Sequence, residues 1–371
     1  MTDRFQFEER QYQTDAVNEA LEQFQKGRES VLIESPVGSG KTVMGLMVIK
    51  ELQKTNPDLR VNWVASRRHI LEQTERANLA YFHCPLNYVS VFNSNPPPAD
   101  MIVLDEAHHE ATQSCLAMYE KTGNTLTLGL SATPQRTDRM RLSFQHSVRG
   151  CTIQTLINNG ILSQYHSYKL PYYNAEIAAK IYCQNPEKWG KTLAFFNSIQ
   201  ECVNFCSILN DKGISCDVVT GSSNRDKQLE LFVNGELQVI ANVSVLSEGF
   251  DLPELQSVFM RDASRLPCIQ MAGRGLRKSP GKPFCNIVQS ENSRYQIEKI
   301  ATPQESFLYN KDVWLSCSGN TVAIAQALQH SLDLLDKRKP ARMPIYIQMA
   351  PHTSYVSLRK RTSKRVSYEF Q

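Results

Sequence analysis

The run Ser35-Pro36-Val37-Gly38-Ser39-Gly40-Lys41-Thr42 has the composition of a loop that holds phosphate. Gly38 and Gly40 free the backbone to turn its N–H groups toward one point, and a helix beginning just after them adds the positive end of its dipole. Lys41 is placed to reach the β- and γ-phosphates of a nucleoside triphosphate, and the Thr42 hydroxyl to complete the oxygen shell of Mg2+. Ser35 stands where the general pattern has a glycine, so the backbone freedom rests on the two glycines that follow. A second group is Asp105-Glu106, the head of Asp105-Glu-Ala-His108. Asp105 suits a hydrated Mg2+ ion, and Glu106 suits the orientation and polarisation of an attacking water. Adjacent acids at a strand end are common by themselves; the phosphate loop upstream is what gives this pair a chemistry.

Both groups need rigid edges to stand on. Short apolar runs at 31–34, 61–65, 101–104 and 125–129, separated by amphipathic stretches, predict the parallel strands of one sheet with crossover helices. Runs at 192–196, 215–220, 238–241, 257–261 and 284–288 predict a second sheet of the same kind. The phosphate loop directly follows the first run and precedes a helical stretch at 43–52; Asp105 closes the run at 101–104. The C-terminal edge of a strand is where such folds place ligand chemistry. The segment 163–190, richer in Tyr, Asn and Pro and without a clear period, reads as a linker. The expected architecture is α/β: two similar lobes at 1–163 and 164–300, then a helix and a basic tail at 301–371.

The 371 residues, 41% of them hydrophobic, are enough for two cores. No apolar run is long enough to span a membrane, and the first ten residues are polar and charged, so a cytoplasmic chain is expected. Ten cysteines without a CxxC pair predict reduced, buried thiols and no metal site. The net charge of +4 is unevenly spread: residues 337–371 hold nine Lys or Arg against Glu369 alone, which leaves the body at −4. A mildly acidic body excludes a broad basic surface but not a local cleft that grips a phosphate backbone.

The motifs in order carry a resemblance. Arg10-Gln-Tyr-Gln13, the phosphate loop, Asp105-Glu-Ala-His108, Ser131-Ala-Thr133-Pro and Gln270-Met-Ala-Gly-Arg274-Gly-Leu-Arg277 resemble the motifs of superfamily 2 helicases of the DEAH kind. Within them the chain is most similar to the branch that holds XPB, UvsW, RadD and the motor subunits of type I and type III restriction enzymes. That branch shares segments like Ser66-Arg-Arg-His-Ile-Leu-Glu-Gln73 and Leu246-Ser-Glu-Gly249-Phe-Asp251-Leu-Pro253. The match spans residues 10 to about 282.

The resemblance implies two tandem RecA-like P-loop domains that hydrolyse ATP with Mg2+ in the cleft between them and move on nucleic acid, with DNA weighted over RNA. It implies that Arg10 and Gln13 recognise adenine, with Tyr12 packed beneath the base, and that Pro36 to Thr42 hold the phosphates. Lys41 and Glu106 would act in hydrolysis, with Thr42 and Asp105 on the metal. His108, Ser131 and Thr133 would couple nucleotide state to lobe movement, and Gly249 and Asp251 would close near the ribose and γ-phosphate. Gln270, Arg274 and Arg277 would cross the cleft to the transferred phosphoryl group; the two arginines lie three apart, on one face if the run is helical. Taken singly, Arg10 could be a solvated arginine, and Ser131 and Thr133 could cap a turn.

Departures from the family bear on the track. Only a short stretch separates Gln73 from Asp105, where many relatives have a further nucleic-acid-contacting motif, so a weaker grip by the first lobe is expected. No nuclease motif is present. In the tail, 321–336 has apolar residues at helical spacing, and Tyr346, Tyr355 and Tyr368 lie among Arg359-Lys-Arg361 and Lys364-Arg365, a composition that suits either a nucleic-acid strand or a solvated terminus. Two readings of different class stand: a translocating ATPase, or a nucleotide-gated clamp or motor subunit of a larger restriction complex with little unwinding of its own.

Overall fold

Side chains on successive strand residues point to opposite faces, so a strand covered on both sides must be apolar at nearly every position. Segments such as Val61–Ala65 and Met101–Asp105, buried throughout, satisfy this. The computed structural model describes residues 9–109, 112–122, 125–132, 141–243 and 254–317.

The first sheet contains β1 (Ser30–Glu34), β2 (Val61–Ala65), β3 (Asn87–Ser90), β4 (Met101–Asp105), β5 (Leu126–Ser131) and β6 (His146–Arg149) in the order β3-β2-β4-β5-β1-β6, all parallel. Helix α1 (Gln11–Gln25) precedes the sheet, and its crossovers include α2 (Lys41–Thr55), α3 (Arg68–Ala77) and α4 (Gln113–Thr122). Alternation divides the core: Val31, Ile33, Trp63, Val103 and Leu130 pack with α1 and α2 on one face, while Leu32, Val64, Ile102 and Leu104 pack with α4 on the other. In α2 the six residues Met44–Ile49 are all buried, because that helix lies between the sheet and α1.

After α5 (Ile153–Asn158), the second sheet is built from β7 (Gln164–Leu170), β8 (Thr192–Phe195), β9 (Cys216–Val219), β10 (Val239–Asn242), β11 (Ser257–Met260), β12 (Phe284–Ser290), β13 (Glu305–Asn310) and β14 (Val313–Ser316). Its order is β14-β13-β7-β12-β11-β8-β10-β9, parallel except for the β13–β14 hairpin. The helices are α6 (Ala175–Gln184), α7 (Pro186–Trp189), α8 (Ile199–Asn210), α9 (Arg225–Asn234) and α10 (Arg265–Gly275). Both sheets belong to one compact unit that ends at Ser316. Among the described residues no helix is long and apolar enough to cross a membrane.

Three expectations are corrected. The segment 163–190 is not a linker: it supplies β7, which lies inside the second sheet, and α6 and α7. Its period is hidden because β7 buries polar side chains that find partners: Lys169 Nζ lies 2.5 Å from Glu298 Oε2, and His166 stacks on Phe284 with ring centroids 3.9 Å apart. The second sheet also runs past residue 300, through β13 and β14, where a helix and tail are expected. Finally, not every described thiol is free: Cys206 of α8 is joined to Cys216 of β9, where the Asn210 side chain bonds both the N–H and the carbonyl of Cys216 and so brings the strand against the helix end. The helix expected at 321–336 and the basic tail lie outside the described residues.

Candidate functional site

In the first sheet β5 lies between β1 and β4, so the ends of β1 and β4 are two strand spacings apart, about 10 Å. The chain leaves β1 through Ser35, whose N–H donates to the Ser131 carbonyl at the end of β5 (2.9 Å), and enters the phosphate loop. Gly38 and Gly40 have φ of 83° and 80°, left-handed values that a residue with a Cβ adopts at a cost. Gly40 ends the loop, and α2 starts at Lys41 with no side chain capping its first turn. Its leading N–H groups are therefore free to meet an anion.

The Arg10-to-Gln13 motif is bound to this loop. The Tyr12 hydroxyl and Gln13 Nε2 both donate to the Ser39 carbonyl, at 2.7 and 2.9 Å, and Gln13 Oε1 accepts from the Arg10 N–H at 3.2 Å. Gln13 is buried, and a Cβ on Gly40 would come within 2.5 Å of its amide nitrogen. Tyr12 leans on the Ile153–Leu162 side of the second core. Tyr12 and Gln13 thus steady the loop through Ser39, and the Gln13 amide keeps one N–H and one lone pair beyond these bonds.

The carboxylates sit where β4 ends. Asp105 is buried, and burial and the neighbouring Glu106 charge push its carboxyl up from the ordinary range, with the Lys41 ammonium opposing them. Glu106 has φ of 54°, a strained value for a residue with a side chain, and its N–H donates to Asp105 Oδ1 at 3.0 Å. Glu106 Oε2 lies 3.3 Å from Nδ1 of His108, which is buried behind it.

From the second lobe, α10 presents Gln270 and Arg274, both buried. Its Gly273 faces the loop: a Cβ there would meet the Val37 side chain at 3.0 Å, just as one on Gly38 would meet Leu162 Cδ2 at 2.8 Å. Arg277 is not on this helix, which ends at Gly275; it pairs instead with Leu162 in an antiparallel bridge. The helical-face reason for its convergence with Arg274 is therefore wrong, although both reach the same cavity.

That cavity, about 410 Å³, is lined from the first lobe by Val37, Gly38, Gly40, Lys41, Thr42, Asp105 and Glu106 and from the second by Gln270, Arg274 and Arg277. Pro36 and Ser39 belong to the loop without lining it, and Arg10 and Gln13 stand behind it. Ser131 is buried at the end of β5 beneath the loop. Thr133, Gly249 and Asp251 lie outside the described residues. Ile70, Gln73, Ile161, Leu162 and Lys278 also line the cavity. Of these Ile70 and Gln73 lie within a motif visible in the sequence, and nothing in their types signals a role.

The donor set fits a triphosphate with a hard cation: amides and Lys41 for phosphate oxygens, and the Thr42 hydroxyl and Asp105 carboxylate for the ion. Among the described residues no group of three or more His, Cys, Asp or Glu side chains could hold a metal by itself.

Comparisons with known proteins converge on the same architecture. Residues 6–95 match the family described as type III restriction enzyme, res subunit, and residues 174–279 match the helicase conserved C-terminal domain. The chain is 28% identical over 261 residues to a 51.5 kDa protein of a Lactococcus phage (isolate 7-9), covering 60% of this chain and 57% of that protein. It is 23% identical over 351 residues to IRC3 of Saccharomyces cerevisiae, a protein named as an ATP-dependent helicase, covering 75% and 51%. The chain thus spans little more than half the length of these curated relatives. The type ISP restriction-modification enzyme LlaBIII, solved bound to DNA, superposes with a TM-score of 0.56 at 18% identity over 79% of this chain and 28% of that one, a likeness of fold.

Proposed function

We propose that this chain, a superfamily 2 helicase with restriction-motor relatives, hydrolyses ATP in the cleft between its two RecA-like lobes and uses the cycle to translocate on DNA. The observation that carries this reading is the single cavity in which a phosphate loop and two acids of one lobe face Gln270 and two arginines of the other. Phosphoryl transfer is catalysed mainly by positioning and charge stabilisation, so a site whose cations come from two lobes is active only when the lobes are closed. In this reading the first lobe is 1–163, the second runs from 164 through β14, and the chain works in the cytoplasm.

Residue roles follow from placement. The α2 N–H groups and Lys41 hold the β- and γ-phosphates, and Arg10 and Gln13 select adenine from behind the loop. Thr42 and Asp105 would hold Mg2+, which neutralises phosphate charge when bound. Glu106 takes up the proton of the attacking water, and its contact with His108 supports a link from that step to the coupling role proposed for His108, Ser131 and Thr133. By the family resemblance, Gly249 and Asp251 would close near the ribose and γ-phosphate. Arg274 and Arg277 neutralise charge on the transferred phosphoryl group. Glu106→Gln should still bind ATP but lose turnover by roughly 10²-fold, since the amide cannot accept the proton. A loss of nucleotide binding as large as the loss of turnover, read by fluorescent-nucleotide titration, would make Glu106 structural instead.

The DNA assignment rests on the relatives and is tested by ATPase rates with single-stranded DNA, duplex DNA, RNA and no nucleic acid. Stimulation of at least about tenfold by DNA is expected, because a coupled motor closes its cleft on its track. Equal rates in all four would favour the second reading, a nucleotide-gated clamp or motor part of a larger restriction assembly. That reading draws support from the match of residues 6–95 to the type III restriction enzyme res subunit.

A further inference from the structure

Arg274 and Arg277 are held in different ways. Arg274 belongs to the last turn of α10 and takes its orientation from the helix. Arg277 lies beyond the helix end, where the last carbonyls of any helix lack intrahelical partners and the chain is free to fray. Here those carbonyls are taken. Leu276 O accepts from the Ser163 N–H at 2.7 Å and Arg277 O from the Ser163 hydroxyl at 3.2 Å. Lys282 Nζ then donates to Gly275 O at 2.5 Å and to Arg277 O at 2.8 Å. The turn through Gly281, with φ of 77°, folds the chain back so that the Lys282 side chain runs beneath the end of α10 with 8% of its surface exposed.

We infer that Lys282 is a positioning residue for hydrolysis: its buried ammonium ties the backbone of Arg277 to the end of α10 and so aims the Arg277 side chain into the cleft. Lys282 does not line the cavity, so its reach to the site runs through the backbone of Gly275 and Arg277. A cation at a helix C-terminus is favourable, and here it meets carbonyls rather than a carboxylate. Burial holds the Lys282 ammonium below its ordinary range, with Cys285 opposing the shift and the Arg277 guanidinium adding to it. Arg274, within the helix, does not depend on this tie.

This inference rests on the reading of Arg277 as a cleft arginine, and the experiment separates the two. In steady-state ATPase assays with saturating nucleic acid, Lys282→Met should lower kcat on the order of 10²-fold, the scale of a misplaced catalytic group. KM for ATP should move by less than about threefold, and Lys282→Arg, which keeps charge and donors, should recover much of the rate. Lys282→Met placed in an Arg277→Ala background should cost no more than about twofold further, whereas in an Arg274→Ala background its loss should add in full. Turnover within about threefold of the parent in Lys282→Met, or full additivity with Arg277→Ala, overturns the inference. So does a fall in the unfolding midpoint that tracks the lost rate and that Lys282→Arg does not reverse. If Lys282→Met does not fold, Lys282→Gln, which can still donate to one carbonyl, is read by the same criteria. Should Arg277→Ala itself hydrolyse ATP normally, the cleft reading fails and this inference fails with it; a crippled Arg277→Ala beside a normal Lys282→Met overturns only this one.

Discussion

Lys41→Ala is expected to lose ATP turnover by on the order of 10³-fold or more while its circular dichroism and unfolding midpoint stay those of the parent. Lys41 opens α2 and lines the cavity, and its charge is the nearest opposing one to the buried Asp105 carboxyl. Removing the ammonium leaves the loop intact, because Gly38, Gly40 and the bonds from Tyr12 and Gln13 to Ser39 shape the loop rather than the lysine. What disappears is the cation at the phosphates, together with the charge that keeps Asp105 from gaining a proton. Nucleotide binding should weaken as well, since Lys41 contacts phosphate in ground and transition states alike. Turnover near the parental rate would remove the phosphate loop from the mechanism.

The second large effect belongs to the arginines. Arg274→Ala and Arg277→Ala should each slow hydrolysis by about 10³-fold, the lower end of what a cleft-crossing arginine contributes, because the partner arginine covers part of the loss. ATP binding should change far less, since the charge they answer develops on the transferred group. The two variants should also behave alike although one arginine is helical and the other sits in a strand-like bridge, because they share one cavity. Single-turnover rates and nucleotide titrations under saturating nucleic acid separate the two effects. Parental hydrolysis in both variants would mean that the two-lobe active site is wrong and that the first lobe works alone.

The legible parts of this molecule are those whose identity is local. The run into β1, the glycines after it and the start of α2 follow one another in the sequence as in space, and the strand before Asp105 is apolar at each position. β7 is hidden for the opposite reason: His166, Ser167 and Lys169 are buried only because Phe284, Glu298 and neighbouring strands receive them. β3 and β6 are short strands at the two edges of the first sheet, half exposed, with no apolar run to betray them. In the site, Lys41, Glu106 and Arg274 stand in recognisable runs, but the place of Arg277 depends on Lys282 and Ser163, which meet it only after folding. Likewise Leu162 reaches Gly38 across more than a hundred residues, and no spacing rule announces that contact.

The contact of Val37 with the bare Cα of Gly273 works as a mechanical stop. Interiors are close-packed and resist compression, so a side chain seated against a bare Cα sets how near these two segments can come. In this chain that limit is at the phosphate loop itself, one residue from Arg274. The reach of the guanidinium is therefore gauged against the cradle it serves, and the tolerance of that gauge is a single methyl group.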